Sequence, residues 1–207
     1  MYFGLSEDQI FFQENVSKFL EDQANLDTIR AITEGEAENT RKELNTGLVN
    51  LGLNSLLIPE EFGGLGLDLL FATAVSQSLG GGVAPISFTG SYIMAPLAIS
   101  HGGSSEQKNK YLTQMSENKI RFGVGFSEFI GARDNSSIEI KDGKISGRAL
   151  FVLDAKDASH LMFSDKNGVI GVVLSNSSGL EVIEPVSYTH LRAHETLRYL
   201  VCRLLLE

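Results

Sequence analysis

Between Leu56 and Asp68 the chain reads Leu-Leu-Ile-Pro-Glu-Glu-Phe-Gly-Gly-Leu-Gly-Leu-Asp. Pro59 fixes its own φ and biases Ile58 toward extended backbone. Gly63, Gly64 and Gly66 permit angles and close approaches that a Cβ forbids. Asp68 is placed to accept hydrogen bonds from the free N–H groups of a helix beginning at Leu69. These constraints predict a tight, shaped crossing between two helices.

The surrounding sequence supplies the helices. Ser6 and Gln9 form a capping box, with Leu5 and Ile10 spaced as a hydrophobic staple. Phe12, Val16, Phe19 and Leu20 then mark one face of a helix running to about Asp22. Thr40 and Glu43 read as a second box, opening a helix with Leu44, Leu48 and Leu51 on one side and a left-handed stop at Gly52. A helix from Asp68 to Leu79 stops at Gly80-Gly-Gly82. Pro96 starts or kinks a helix in the apolar stretch Ser91 to Ser100. A third box, Ser104 and Gln107, begins a helix with Tyr111, Leu112 and Met115 turned inward.

From Arg121 the period changes to two. Phe122, Val124 and Phe126 alternate with Gly123, Gly125 and Ser127. Asp142-Gly143 is a hairpin turn between Ile138–Ile140 and Ile145, Asn167-Gly168 is another turn that leads into the strand-like Val169 to Leu174, Arg148 to Leu153 is strand-like, and Leu180 to Ile183 begins one more strand. The expected class is α+β: a helical domain over residues 1–120, followed by an incomplete antiparallel β domain over 121–185.

Seventeen Lys and Arg against 26 Asp and Glu give a net charge of −9, which opposes binding to a phosphate backbone and argues against a nucleic-acid partner. No apolar run is long enough for a membrane span, and the N-terminus lacks the basic start and apolar core of a secretory signal. The single cysteine, Cys202, fits a reducing compartment and a cytoplasmic location. No Cys/His spacing suggests a metal site. His101 and His160 have no recognisable Ser, Asp or metal partners, and Glu60 and Glu61 read as a solvated loop. Gly80-Gly-Gly82 reads as a helix stop rather than a phosphate cradle, because no Lys-Ser/Thr follows it.

Four segments, in order, and the opening of the chain resemble the acyl-CoA dehydrogenase family. The glycine crossing resembles its P-E-x-x-G-G-x-G-x-[DS] signature. Gly103 to Leu112 resembles its G-[ST]-x-E-Q-K-x-x-[YW]-L helix, and Phe3 to Gln9 its usual opening. Phe126 to Asp134 resembles its V-T-E-P-x-A-G-S-D turn, in which a hydroxyl and backbone N–H groups contact the polar edge of a flavin. Ser127 keeps that hydroxyl, and Glu128 and Asp134 keep the acids. Phe129 replaces the Pro, and Arg133 stands where a Ser contacts flavin and substrate. Gly147 to Ala155 resembles the family's G-x-K-x-[WF]-[IV]-[TS]-[NDG]-[AG] strand. There Phe151 replaces an aromatic beside the flavin, and Leu153 replaces a Thr that hydrogen-bonds near N5, leaving the Leu153 backbone N–H as a remaining contact.

The resemblance implies the first two of three domains, with the C-terminal helical bundle missing. It implies FAD as cofactor, an acyl-CoA thioester as substrate and α,β-dehydrogenation as the reaction. Phe126, Ser127, Phe151 and Leu153 are the candidate cofactor contacts, and Arg133 is the candidate substrate contact. No catalytic residue is named, because the family's carboxylate base sits in the missing bundle, so the chain alone is expected to be inactive. A homo- or hetero-oligomer is expected at full length. Leu153 and Arg133 keep open a non-catalytic partner subunit, and the same fold also serves flavin monooxygenases.

The tail is read separately. Taken at face value, Leu191 to Leu206 is a basic amphipathic helix. However, Val186 to Thr196 and Leu200 to Glu207 resemble the translation of a short-read sequencing adapter, with Leu197, Arg198 and part of Tyr199 at its variable index. Residues 186–207 are therefore expected to be a non-native tail, with native sequence ending near Pro185.

Overall fold

The computed structural model describes residues 4–126 and 137–183, and the backbone of 201–204. The chain divides into two units. One comprises residues 1–88 and 96–119; the other comprises 89–95 and 120–207.

The first unit is helical. Helix α1 (Glu7–Gln23) carries the expected box, Ser6 accepting from the Gln9 N–H while Gln9 returns the bond to the Ser6 N–H. Of the two staple residues, Leu5 is half-buried and Ile10 is 39% exposed. Helix α2 (Leu26–Glu34) is absent from the sequence expectations. It is capped by Asn25, which accepts from the Thr28 N–H, and is stopped by left-handed Gly35. Helix α3 (Glu38–Asn50) corrects the second box. The helix begins before Thr40, its N-cap is Ala37, and no side chain caps it. Leu51 and Gly52 close α3, with Gly52 at φ 90 as expected.

The glycine crossing forms as two short 3₁₀ turns, Leu53–Ser55 and Glu60–Phe62, ending on left-handed Gly63. Gly64 is required by close approach: a Cβ there would lie 1.9 Å from the Ile58 carbonyl oxygen. That oxygen also accepts from the Gly66 N–H at 2.8 Å, and the Leu65 and Leu67 N–H groups bond to Ser55 and Leu56. Asp68 caps α4 (Leu69–Gly81) through the Leu70 and Phe71 N–H groups. α4 continues through Gly80 and Gly81, so the glycine stop falls at Gly82. Beside α1 it forms the Phe12–Phe71 edge-to-face pair and the Ser17–Ser78 hydrogen bond.

Helix α5 (Ala95–Gly102) follows a π-helical turn, Thr89–Met94. Pro96 stands where the register tightens from π to α, a change that accommodates its missing N–H. Helix α6 (Ser105–Ser116) has the complete Ser104/Gln107 box. Its last carbonyls, on Met115 and Ser116, accept from the buried Asn54 side chain at 3.0 and 2.8 Å. The core of this unit holds Val16, Leu20, Leu44, Leu48, Leu53, Leu56, Ile58, Val75 and Leu112.

The second unit has two sheets. One runs β1 (Phe122–Gly125), β4 (His160–Ser164), β5 (Ile170–Leu174) in spatial order. The other runs β2 (Ser137–Lys141), β3 (Lys144–Leu150), β7 (Val201–Leu204), β6 (Leu180–Ile183). Asp142 at φ 51 and Gly143 at φ 74 make the expected turn between β2 and β3. One pairing departs from the all-antiparallel expectation. β1 and β4 are parallel, because the long segment between them lets the chain return in the same direction. Ile138, Ile145, Ala149, Val152, Leu161 and Phe163 share one apolar cluster.

Strand β7 lies within the adapter-like tail and corrects the face-value helix. Val201–Leu204 is extended and antiparallel to both neighbours. Strands β3 and β6 present N–H and C=O groups that any extended backbone can satisfy, whatever its side chains.

Candidate functional site

Strand β3 does not continue to Leu153, as the apolar pattern suggested. It ends at Leu150, and Phe151 turns to φ 55, a left-handed backbone unusual for an aromatic residue. The turn swings the chain onto β1. The Val124 N–H donates to the Leu153 carbonyl at 2.8 Å, and the Leu153 N–H donates to the Val124 carbonyl at 2.9 Å. β1 is thus flanked by β4 on one side and by this short crossing on the other. A Cβ on Gly123 would meet Leu161 and Ala155 at 2.7–2.8 Å, and one on Gly125 would meet Phe163 and Val152 at 2.9–3.2 Å. This packing explains why both alternating positions are glycine, and why all four residues of β1 are buried.

The bridge brings together three of the residues singled out from the sequence. Phe126 lies two residues beyond Val124 and Phe151 two residues before Leu153. In an antiparallel pair, both therefore fall on the same side of the bridge. Phe126 and Phe151 are half-buried, and Leu153 is 41% exposed. Ser127, Arg133, Glu128 and Asp134 lie outside the described residues. One expectation is corrected. The Leu153 N–H is committed to the Val124 carbonyl, so it is not a spare donor for a ligand.

What borders this crossing is not legible in the residue pattern. Asp154 also has positive φ, at 57. Its Oδ2 accepts from the Ser91 N–H at 2.8 Å, and the Ser91 hydroxyl donates to the Phe122 carbonyl at 2.8 Å. Both bonds come from the π turn. The only hint available was Gly90-Ser91, a residue without a side chain followed by a short hydroxyl.

Other features are less able to hold a ligand. A groove of about 810 Å³ runs among α1, α2 and α4. Several of its polar groups are taken up by one another: Ser17 bonds to Ser78, Ser78 to the Gln13 backbone carbonyl, and Gln13 to Gln77. His160, for which no partner was expected, has the Ser159 hydroxyl 2.9 Å from Nδ1, but that hydroxyl is also tied to the Arg121 backbone. No cluster of metal-ligating side chains occurs among the described residues. No described helix is long and apolar enough to cross a membrane.

Residues 6–119, more than half of the chain, match the family described as "Acyl-CoA dehydrogenase, N-terminal domain". Isovaleryl-CoA dehydrogenase of Bos taurus is 26% identical over 180 residues, covering 83% of this chain and 42% of that protein. The acyl-CoA dehydrogenase IpdE2 of Mycolicibacterium smegmatis is 30% identical over 137 residues, covering 66% of this chain and 42% of that one. Among solved structures, the acyl-CoA dehydrogenase of Bacillus anthracis complexed with FAD has a TM-score of 0.73 at 16% identity, covering 97% of this chain and 36% of that chain. The chain spans less than half the length of these relatives.

Proposed function

The chain belongs to the acyl-CoA dehydrogenase family, and from that membership we propose that it forms the helical domain and part of the β domain of an FAD-dependent enzyme that desaturates an acyl-CoA thioester between Cα and Cβ. FAD, when bound, supplies the hydride acceptor for that reaction. The observation that carries the reading is the Val124–Leu153 bridge, which sets Phe126 and Phe151 on one side of a rigid backbone pair.

The residues suit a planar heteroaromatic ring. Phe126 and Phe151 offer ring area and keep water from one face. Leu153 adds an exposed apolar side chain where a polar contact is usual, so cofactor binding here leans more on packing and on the Ser127 hydroxyl. Arg133 takes an anionic group of the substrate. The acceptor of the α-proton is a carboxylate in the C-terminal bundle, and no residue of this chain is given that role. That bundle also supports an oligomer. A cytoplasmic location accords with the absence of cysteine before residue 186.

The test uses the full-length gene product. FAD titration is expected to give a stoichiometric yellow protein whose visible absorption bleaches anaerobically with an acyl-CoA. A protein that takes up no FAD refutes the reading. One that consumes oxygen without an acyl-CoA replaces it with a monooxygenase.

A further inference from the structure

We propose that Asp154 is a positioning residue, and that with Ser91 it latches the Phe151–Leu153 crossing against β1. The inference rests on the cofactor reading above and extends it to two residues that touch no cofactor. Ser91 is bonded to both sides of the crossing. Its N–H is held by Asp154, directly after Leu153, and its hydroxyl holds the Phe122 carbonyl, two residues before Val124. The side chain of Ser91 is 1% exposed, so water does not compete for these bonds.

The fit leaves no slack. A Cβ on Gly90 would lie 3.0 Å from Asp154 Oδ2, 3.0 Å from the Leu153 carbonyl oxygen and 3.1 Å from the Leu153 Cβ. Asp154 also answers a need of the π turn, whose leading N–H groups have no partner within the turn and whose positive end favours a carboxylate. The crossing in turn needs a restraint. Left-handed backbone at Phe151 and Asp154 is unfavourable and persists only where surroundings hold it. The Val124–Leu153 pair supplies two bonds, and the Ser91–Asp154 latch supplies an independent third on the far side of Leu153. Loosening the latch is therefore expected to release the crossing, and with it the Phe151 ring, before the rest of the β unit melts.

The experiment is amide hydrogen exchange on the 207-residue chain. Asp154→Ala is expected to speed exchange at Val124 and Leu153 about tenfold or more while Leu161 and Met162 in β4 stay protected. Asp154→Asn keeps an acceptor oxygen and is expected to restore protection. Gly90→Ala leaves Asp154 in place, pushes it off by the new methyl, and is expected to reproduce the alanine phenotype. Equal exchange in Asp154→Ala and Asp154→Asn overturns the latch, as does a uniform rise across β1, β4 and β5. FAD titration of the same variants at full length separates the two readings. A wild type that binds no FAD refutes the cofactor reading and leaves the exchange result intact. Normal FAD affinity in an Asp154→Ala protein with a loosened bridge refutes the positioning role alone.

Discussion

Replacing Phe151 by alanine and by glycine reverses the usual order of the two residues. In ordinary backbone, glycine is the worse choice by about 0.5–1 kcal/mol, because it loses more conformational freedom on folding. At φ 55 the comparison changes. Any side chain with a Cβ bears a left-handed penalty of about 1–2 kcal/mol that glycine escapes. Both substitutions remove the same half-buried ring, so its packing cancels between them. The difference leaves Phe151→Gly more stable than Phe151→Ala by about 0.5–1 kcal/mol. For a chain of this size that is about 2–4 °C in Tm at the upper end. The chain has no tryptophan, so circular dichroism in urea is the suitable probe. FAD affinity is expected to fall alike in both variants, because each lacks the ring. An alanine variant as stable as the glycine variant, or more so, refutes the claim that Phe151 is held in strained backbone.

Three further outcomes are expected. Gly64→Ala places a methyl against the Ile58 carbonyl and forces the crossing open, breaking the backbone bonds of Gly66, Leu65 and Leu67. At about 1 kcal/mol per bond the loss is at least about 3 kcal/mol, read as a fall in the urea midpoint. Asn54→Leu removes the side-chain donor from the carbonyls of Met115, which keeps the Asn118 N–H, and Ser116, and costs about 1–3 kcal/mol, with faster exchange at the end of α6. Leu153→Thr restores a hydroxyl at an exposed position. It is expected to tighten FAD binding in the full-length protein by about three- to tenfold, a typical gain for one hydrogen bond, with little change in Tm; unchanged FAD affinity removes Leu153 from the cofactor contacts.

What the sequence reveals follows the range of the interactions involved. Ser6/Gln9 and Ser104/Gln107 are legible because each box closes over three residues. The same rule misfires at Thr40/Glu43, since that pattern also occurs inside a helix that has already begun. Helix α2 was legible in principle: Asn25 caps it, Leu26, Ile29 and Ile32 recur at helical spacing, and Gly35 ends it. Strand β4 escaped notice because Leu161, Met162, Phe163 and Ser164 are all buried, which erases the alternation that marks a half-exposed strand. The end of β3 at Phe151 and the π turn at Thr89–Met94 are not local properties. Each is set by partners dozens of residues away: Val124 for the crossing, Asp154 for the turn. The aromatic members of the candidate site were found by resemblance to a family, and their convergence came from the bridge.

The excursion of Thr89–Ala95 makes the β unit discontinuous in sequence. A single cut near residue 120 would yield a C-terminal piece deprived of Ser91, and so of its bonds to the Phe122 carbonyl and the Asp154 carboxylate. Expression of that half by itself is therefore a poor route to its native state, whereas co-expression with a segment spanning Thr89–Ala95 would return the missing contacts. During synthesis the order is favourable: the inserted turn leaves the ribosome before either strand that depends on it.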